Sequence, residues 1–353
     1  MATKVLPKEF EIARGIRPKV LLLGNGVPRA FGGENWNRFL DGIKDKDRFP
    51  KEAKYYEFPQ TMKAAMLSAG KLDSKIKDLT VNDFSLFSKT SDEEREAIQR
   101  FISVGFDFIL TTNYSYEIET SILDKEELSQ NQIHDLMAVT GVNNAQTQYL
   151  INTFNLVHDN QVWHIHGEAR KSKSMILGQY YYGNLIAYYK NYLDNSDNRK
   201  RLGNDGKITV KSWLDAFLYG DVYIVGFGLD IAESDIWWLL EKRMLTNGHG
   251  NIFFYEPLSG TADGCQLWQS CKQYDMNECP HKSLMSCKQN AGIVDQNSCK
   301  EILLDIYDVQ VKNLKFVAHT TSDYRSFYSL VLDDIKSQLT LYSDRRVVDD
   351  LIH

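Results

Sequence analysis

The sequence predicts a doubly wound, mainly parallel α/β sheet with helical insertions. Three observations lead there. Short apolar runs that read as buried strands alternate with longer stretches of helical character. Four of those runs stop abruptly on glycines or small polar residues: KVLLL before GNG, FDFIL before TTN, QVWHI before HG and DVYIV before GFG. At 353 residues the chain is also long enough to bury a large core.

The elements follow in chain order. KVLLLGNGV (19–27) is a buried strand closing on a tight turn, and ENWNRFLDGI (34–43) sets Trp36, Phe39, Leu40 and Ile43 at helical spacing. Residues 44–100 form a first helical insertion, in which Ser91 and Glu94 fit a capping box. FDFILTTNYSYEIE (106–119) is a second strand and loop, and residues 120–156 read as a second helical insertion. QVWHIHGEA supplies the third strand end, and SMILGQYYYGNLIAYYKNYL (174–193) a short strand and an aromatic helix. DVYIVGFGLD (221–230) precedes the helix-like ESDIWWLLEKRML, NIFFYEP (251–257) is another strand, and 314–339 closes as strand, turn and helix. One domain over 1–353 is expected. Polar, loop-like segments at 194–207 and about 260–300 are the variable parts.

Bulk properties exclude several classes. Lys+Arg 41 against Asp+Glu 47 gives a net charge of −6, so no overall basic field recruits nucleic acid. No apolar run approaches the roughly 20 residues that span a bilayer. The first residues lack a signal-peptide layout, and a cytoplasmic location is expected. The five cysteines (Cys265, Cys271, Cys279, Cys287, Cys299) share one late segment, without a C-x-x-C pair. No disulfide framework and no metal are expected from them.

The chemistry-bearing residues sit at the strand ends. Gly24-Asn25-Gly26 lets a backbone approach a phosphate. Arg29 stands where a dinucleotide fingerprint wants its third glycine, and no phosphate-loop lysine motif is present. Asn113 closes the TTN run, where an Asx-type turn is the plainer role. In a strand, His164 and His166 share one face, with Trp163 and Ile165 on the other. Gly226 and Gly228 follow the fourth strand, and of Asp230, Glu233 and Asp235, which come next, one is suited to cap the following helix.

Taken in order, GNGVPRAFGGENWNRFL, TTNYSYEIE, HIHGE and VGFGLDIAESDIWWLL resemble the sirtuin-like NAD-consuming family. The resemblance covers roughly residues 18–257 and is closest to the bacterial branch that hydrolyses NAD+ in anti-phage defence. It implies a Rossmann-like fold with NAD+ as substrate. Gly24, Asn25 and Gly26 would hold the pyrophosphate, and Arg29 and Phe31 would belong to a loop over the nicotinamide ribose. Thr112 and Asn113 would position ribose or water, and His166, followed by Gly167, would be the base. Gly226, Gly228 and Tyr255 would line the adenosine side, with Asp230, Glu233 or Asp235 as the ribose acceptor. Pro28 and Ser115 depart from the family pattern, which typically has a small hydroxyl residue and an acid there. His164 then takes a supporting place.

The zinc ribbon of the deacetylating members is missing, since residues 168–225 hold no cysteine. Hydrolysis of NAD+ is therefore expected rather than deacylation. The alternatives are a catalytically silent NAD or ADP-ribose sensor, and a protein deacylase or ADP-ribosyltransferase. The resemblance further implies a homo-oligomer or a regulatory partner, such as a hexameric ATPase.

Overall fold

The computed structural model describes residues 8–33, 36–45, 60–68, 71–82, 90–124, 138–141, 148–195, 202–258, 296–318 and 320–352. Cys265, Cys271, Cys279 and Cys287 and the basic run 199–201 lie outside them. The chain divides into two compact units, Met1–Asn251 and Ile252–His353, where one domain is expected from sequence.

In the first unit, β1 (Lys8–Glu11) and β7 (Lys207–Val210) form a small antiparallel pair. The main sheet contains β2 (Lys19–Leu23), β3 (Phe108–Thr111), β4 (Ala138–Gly141), β5 (Thr153–Val157), β6 (Asn160–His164) and β8 (Asp221–Val225). Their order is β8-β2-β3-β6-β5-β4, with β8, β2, β3 and β6 mutually parallel and β5 and β4 antiparallel at one edge. β2, β3, β6 and β8 are buried almost throughout. Burial on both faces explains why they read as continuous apolar runs rather than alternating ones. From β2 the chain winds out to β3 and β6, then returns to β8 on the other side. This is the doubly wound, Rossmann-like arrangement expected.

The flanking helices are α1 (Gly26–Ala30), α2 (Trp36–Ile43), α3 (Gln60–Leu67), α4 (Leu72–Asn82), α5 (Asp92–Ile102), α6 (Glu117–Ile122), α7 (Gln179–Asp194), α8 (Trp213–Tyr219) and α9 (Ser234–Met244). The capping box of α5 forms as expected: Glu94 N–H donates to Ser91 Oγ at 3.2 Å, and Ser91 N–H to Glu94 at 3.3 Å. Leu40, Ile43, Leu67, Leu72 and Ile76 from α2–α4 form one core cluster with Tyr114 and Tyr116 of the TTN loop. Each such side chain stabilises by about 1.5–3 kcal/mol on burial, so the insertion fixes the loop it covers.

Residues 120–156 depart from the helical insertion expected there, because β4 and most of β5 lie within them. Asn155 masks the strand signal, since it faces the interior and spends its amide on two buried carboxylates. Phe154 instead packs on Trp163 of the neighbouring strand, with ring centroids 4.6 Å apart. The strand expected in SMIL is also absent. Met175, Ile176 and Leu177 are buried and pass the end of β6, where the ladder has finished.

The second unit contains β9 (Ile252–Tyr255), parallel to β10 (Val309–Lys312), and the helices α10 (Gln296–Ile306) and α11 (Thr321–Ile352). The strand expected from residue 314 lies earlier, at β10. Leu314 and Lys315 both take φ 53°, which no strand residue adopts. Among the described residues no helix is long and apolar enough to cross a membrane.

Candidate active site

The four strand ends singled out in the sequence come from four adjacent parallel strands. Leu23 of β2 is level with Val225 of β8 and with Thr111 of β3, and Thr111 is level with His164 of β6. The GNG, GFG, TTN and HG segments therefore leave one sheet edge side by side. The reversal of winding falls between β2 and β8, where open α/β sheets form their ligand crevice.

At that reversal the glycines interlock. Gly24 N–H donates to Val225 O at 2.9 Å, and Gly26 N–H to Gly226 O at 2.6 Å. A Cβ on Gly24 would stand 2.6 Å from Gly226 O and 2.7 Å from Phe227 Cα. Backbone therefore occupies the space that the missing side chain leaves. Gly226 takes φ 66°, a left-handed conformation that favours glycine. Asn25 caps α1 and accepts Arg29 N–H on its carbonyl at 3.0 Å, while the Arg29 side chain is exposed. Phe31 is half-buried, and its carbonyl accepts from Ser91 Oγ at 3.3 Å. Gly228 and Asp230 are exposed, and Asp230 accepts Ala232 N–H at 2.8 Å in the turn leading to α9.

The TTN loop is held by α6 and β6. Thr112 and Asn113 are half-buried, Asn113 N–H donates to Thr111 Oγ1 at 3.1 Å, and the Asn113 side-chain amide donates to Glu117. Burial pushes the Glu117 carboxyl above the usual range, although Ser115 and Asn113 donate to it. His164 donates from Nδ1 to the Asn113 carbonyl at 2.7 Å and from Nε2 to Glu119 at 2.8 Å. Burial opposes its charge, but the Glu119 and Glu168 carboxylates outweigh burial and raise His164 to about 9. Asn155 bridges Glu119 and Glu168, at 2.8 and 3.0 Å, and Lys171 closes on Glu168 at 2.6 Å.

His166 lies two residues past the end of β6, as expected, and Gly167 beyond it takes φ 91°. A Cβ on Gly167 would stand 2.1 Å from Ser174 O, and Ile176 N–H donates to His166 O at 2.7 Å. The imidazole donates from Nε2 to Asp235 at 3.0 Å, leaving Nδ1 3.9 Å from Glu233. Tyr182 donates to Glu233 at 2.9 Å and Tyr189 to Asp235 at 3.4 Å. Burial works against the imidazolium, yet Asp235 and Glu233 raise His166 above its ordinary value. Burial in turn raises Glu233. Among the described residues, His166, Glu233 and Asp235 are the set whose ligand atoms, all within 4.8 Å, could hold a metal ion.

Asn113 and His166 thus leave neighbouring strands at matching levels, and Gly24, Gly26 and Gly226 meet at the next pair. Tyr255 belongs to the second unit, where it is buried and donates to Asp334 at 2.7 Å. Asp235, which the sequence offered with Asp230 and Glu233 as a ribose acceptor or helix cap, is instead the partner of His166. Glu117, Glu119, Tyr182 and Tyr189 are additions. Tyr182 and Tyr189 share the inner face of α7 at a seven-residue spacing, which was the available signal.

Comparison of the chain with protein-family models gives no match. Comparison with curated proteins gives none either.

Proposed function

We propose that this chain is a NAD+ glycohydrolase that releases nicotinamide and ADP-ribose, acting in the cytoplasm as a NAD-depleting effector of bacterial anti-phage defence. The observation that carries the proposal is His166, oriented by Asp235, at the sheet edge where Asn113 and the interlocked glycines also emerge. Because Nε2–H is committed to Asp235, Nδ1 is the working nitrogen. In hydrolysis the bond from the ribose anomeric carbon to nicotinamide breaks, and its electron pair goes to the nicotinamide nitrogen. A water oxygen bonds to that carbon while its proton goes to His166 Nδ1. The positive charge that develops on the sugar is favoured beside the Glu233 and Asp235 carboxylates. Asn113 would orient the water or the ribose, and no metal is required.

His166 and Asp235 are enclosed, with side chains only 3% and 0% exposed. Tyr182 packs edge-on against His166 with ring centroids 5.4 Å apart, so NAD+ reaches the imidazole only when the side chains around it move. Self-assembly or a partner such as a hexameric ATPase would then raise the basal turnover of the chain. The same enclosure favours one other function, a sensor that binds nucleotide without turnover.

Incubating the purified chain with NAD+ in ¹⁸O-labelled water tests the proposal. Nicotinamide release with one ¹⁸O at the anomeric hydroxyl of ADP-ribose is the expected result. Binding without release would favour the sensor. ADP-ribose found on a protein acceptor would replace hydrolysis with transfer.

A further inference from the structure

We propose that the buried Glu119–His164 pair is a positioning device that fixes Asn113, so that His164 must keep both ring protons for the TTN loop to hold its place. The consequence for turnover rests on the hydrolase proposal; the coupling of His164 to Asn113 does not.

The geometry is two-sided. A backbone carbonyl can only accept, so the 2.7 Å contact with Asn113 O requires a proton on His164 Nδ1. The 2.8 Å contact with Glu119 uses a proton on Nε2. A neutral imidazole has one N–H and can serve only one of these acceptors. Glu119 also takes an N–H from Asn155, and its second carboxylate oxygen is buried without a hydrogen-bond partner. When the ring loses a proton, the Asn113 carbonyl is thus left competing with a charged acceptor, and the loop bond yields. α6 grips Asn113 twice: Glu117 takes its side-chain amide, and Glu119 holds its backbone through His164.

The groups facing His164 come from every neighbouring element. Glu119 approaches from α6 and the Asn113 carbonyl from the TTN loop. Glu168 acts from the segment after β6, and Tyr116 lies edge-on at 5.5 Å. Behind them, Asn155 of β5 and Lys171 bind Glu168. Glu119 is the first of the charges that raise His164, so its removal pulls the titration downward.

The test uses the full chain, wild type, Glu119→Gln and Glu119→Asp, with ¹⁵N-labelled histidine and asparagine. The Asn113 side-chain resonance is assigned through Asn113→Asp. In wild type the Asn113 resonance is expected to titrate together with the His164 ring nitrogens near 9. In Glu119→Gln both move together toward about 7 or below, and Glu119→Asp lies between. Nicotinamide release follows the same limb in kcat with KM little changed, and at pH 8 the Gln variant loses roughly tenfold or more. An Asn113 resonance indifferent to His164, or a Gln variant whose alkaline limb stays in place, overturns the proposal. A wild type silent toward NAD+ at every pH defeats the hydrolase proposal alone, because the resonances still decide the coupling. Should the Gln variant not fold, wild type and Glu119→Asp carry the same comparison.

Discussion

Gly24→Ala separates two reasons for a glycine at the end of β2. If glycine is there to admit a phosphate, alanine harms nucleotide binding and little else. The structure gives it another task, because the added Cβ would stand 2.6 Å from Gly226 O, 2.7 Å from Phe227 Cα and 2.8 Å from Phe227 Cβ. Carbon contacts are comfortable at about 3.5 Å or more, so the two loops must part by the better part of an ångström. Overpacking of this kind costs about 1–3 kcal/mol. The parting also strains the Gly24–Val225 and Gly26–Gly226 hydrogen bonds, each worth about 1 kcal/mol. The expected loss is therefore about 2–4 kcal/mol out of a total of about 5–15. Urea unfolding without nucleotide measures it. Gly228→Ala is the control, since nothing lies within 4 Å of its added Cβ, and it should stay within about 0.5 kcal/mol of wild type. A Gly24→Ala protein that unfolds at the wild-type midpoint and loses only NAD+ affinity would refute the packing account.

Other perturbations have defined outcomes. Arg243 of α9 is buried and donates to Phe217 O, Gly220 O at 2.7 Å and Asn251 O at 3.1 Å, tying α9 to the C-terminal end of α8 and to the backbone beside the start of β8. Arg243→Met should cost about 3–5 kcal/mol in urea unfolding, and Arg243→Lys should recover little because one ammonium cannot reproduce the fork. Burial alone would raise Glu168, but His164, Lys171 and Asn155 hold it down from 4.5 to about 2. A depressed carboxyl stabilises the fold fully above 4.5 and loses that contribution as pH falls through about 2. At about 1.4 kcal/mol per pH unit the contribution is roughly 3 kcal/mol. The stability gap between wild type and Glu168→Gln should be widest above pH 4.5 and narrow toward pH 2, and a constant gap would contradict the assignment.

Much of the fold was legible because its signals are local. The central strands carry unbroken apolar runs since both faces are covered, and the Ser91–Glu94 cap needs only a three-residue spacing. β5 was hidden because Asn155 sits inside it for the sake of distant carboxylates. β10, VQVK, is short and half-polar, and Leu314 and Lys315 beyond it carry apolar and charged side chains through left-handed backbone. The strand ends of the site could be read, and so could the paired histidines. Their partners could not: Glu119 lies 45 residues from His164, and Asp235 lies 69 from His166. Only the folded sheet sets these acids beside those rings, and no periodicity along the chain encodes such a distance.

The most direct measurement is nicotinamide release from NAD+ by wild type and by His166→Ala, with NAD+ binding measured for both. The account predicts release by wild type, and in the variant binding retained with release lowered by about 10²-fold or more. A His166→Ala protein that releases nicotinamide at the wild-type rate would contradict it.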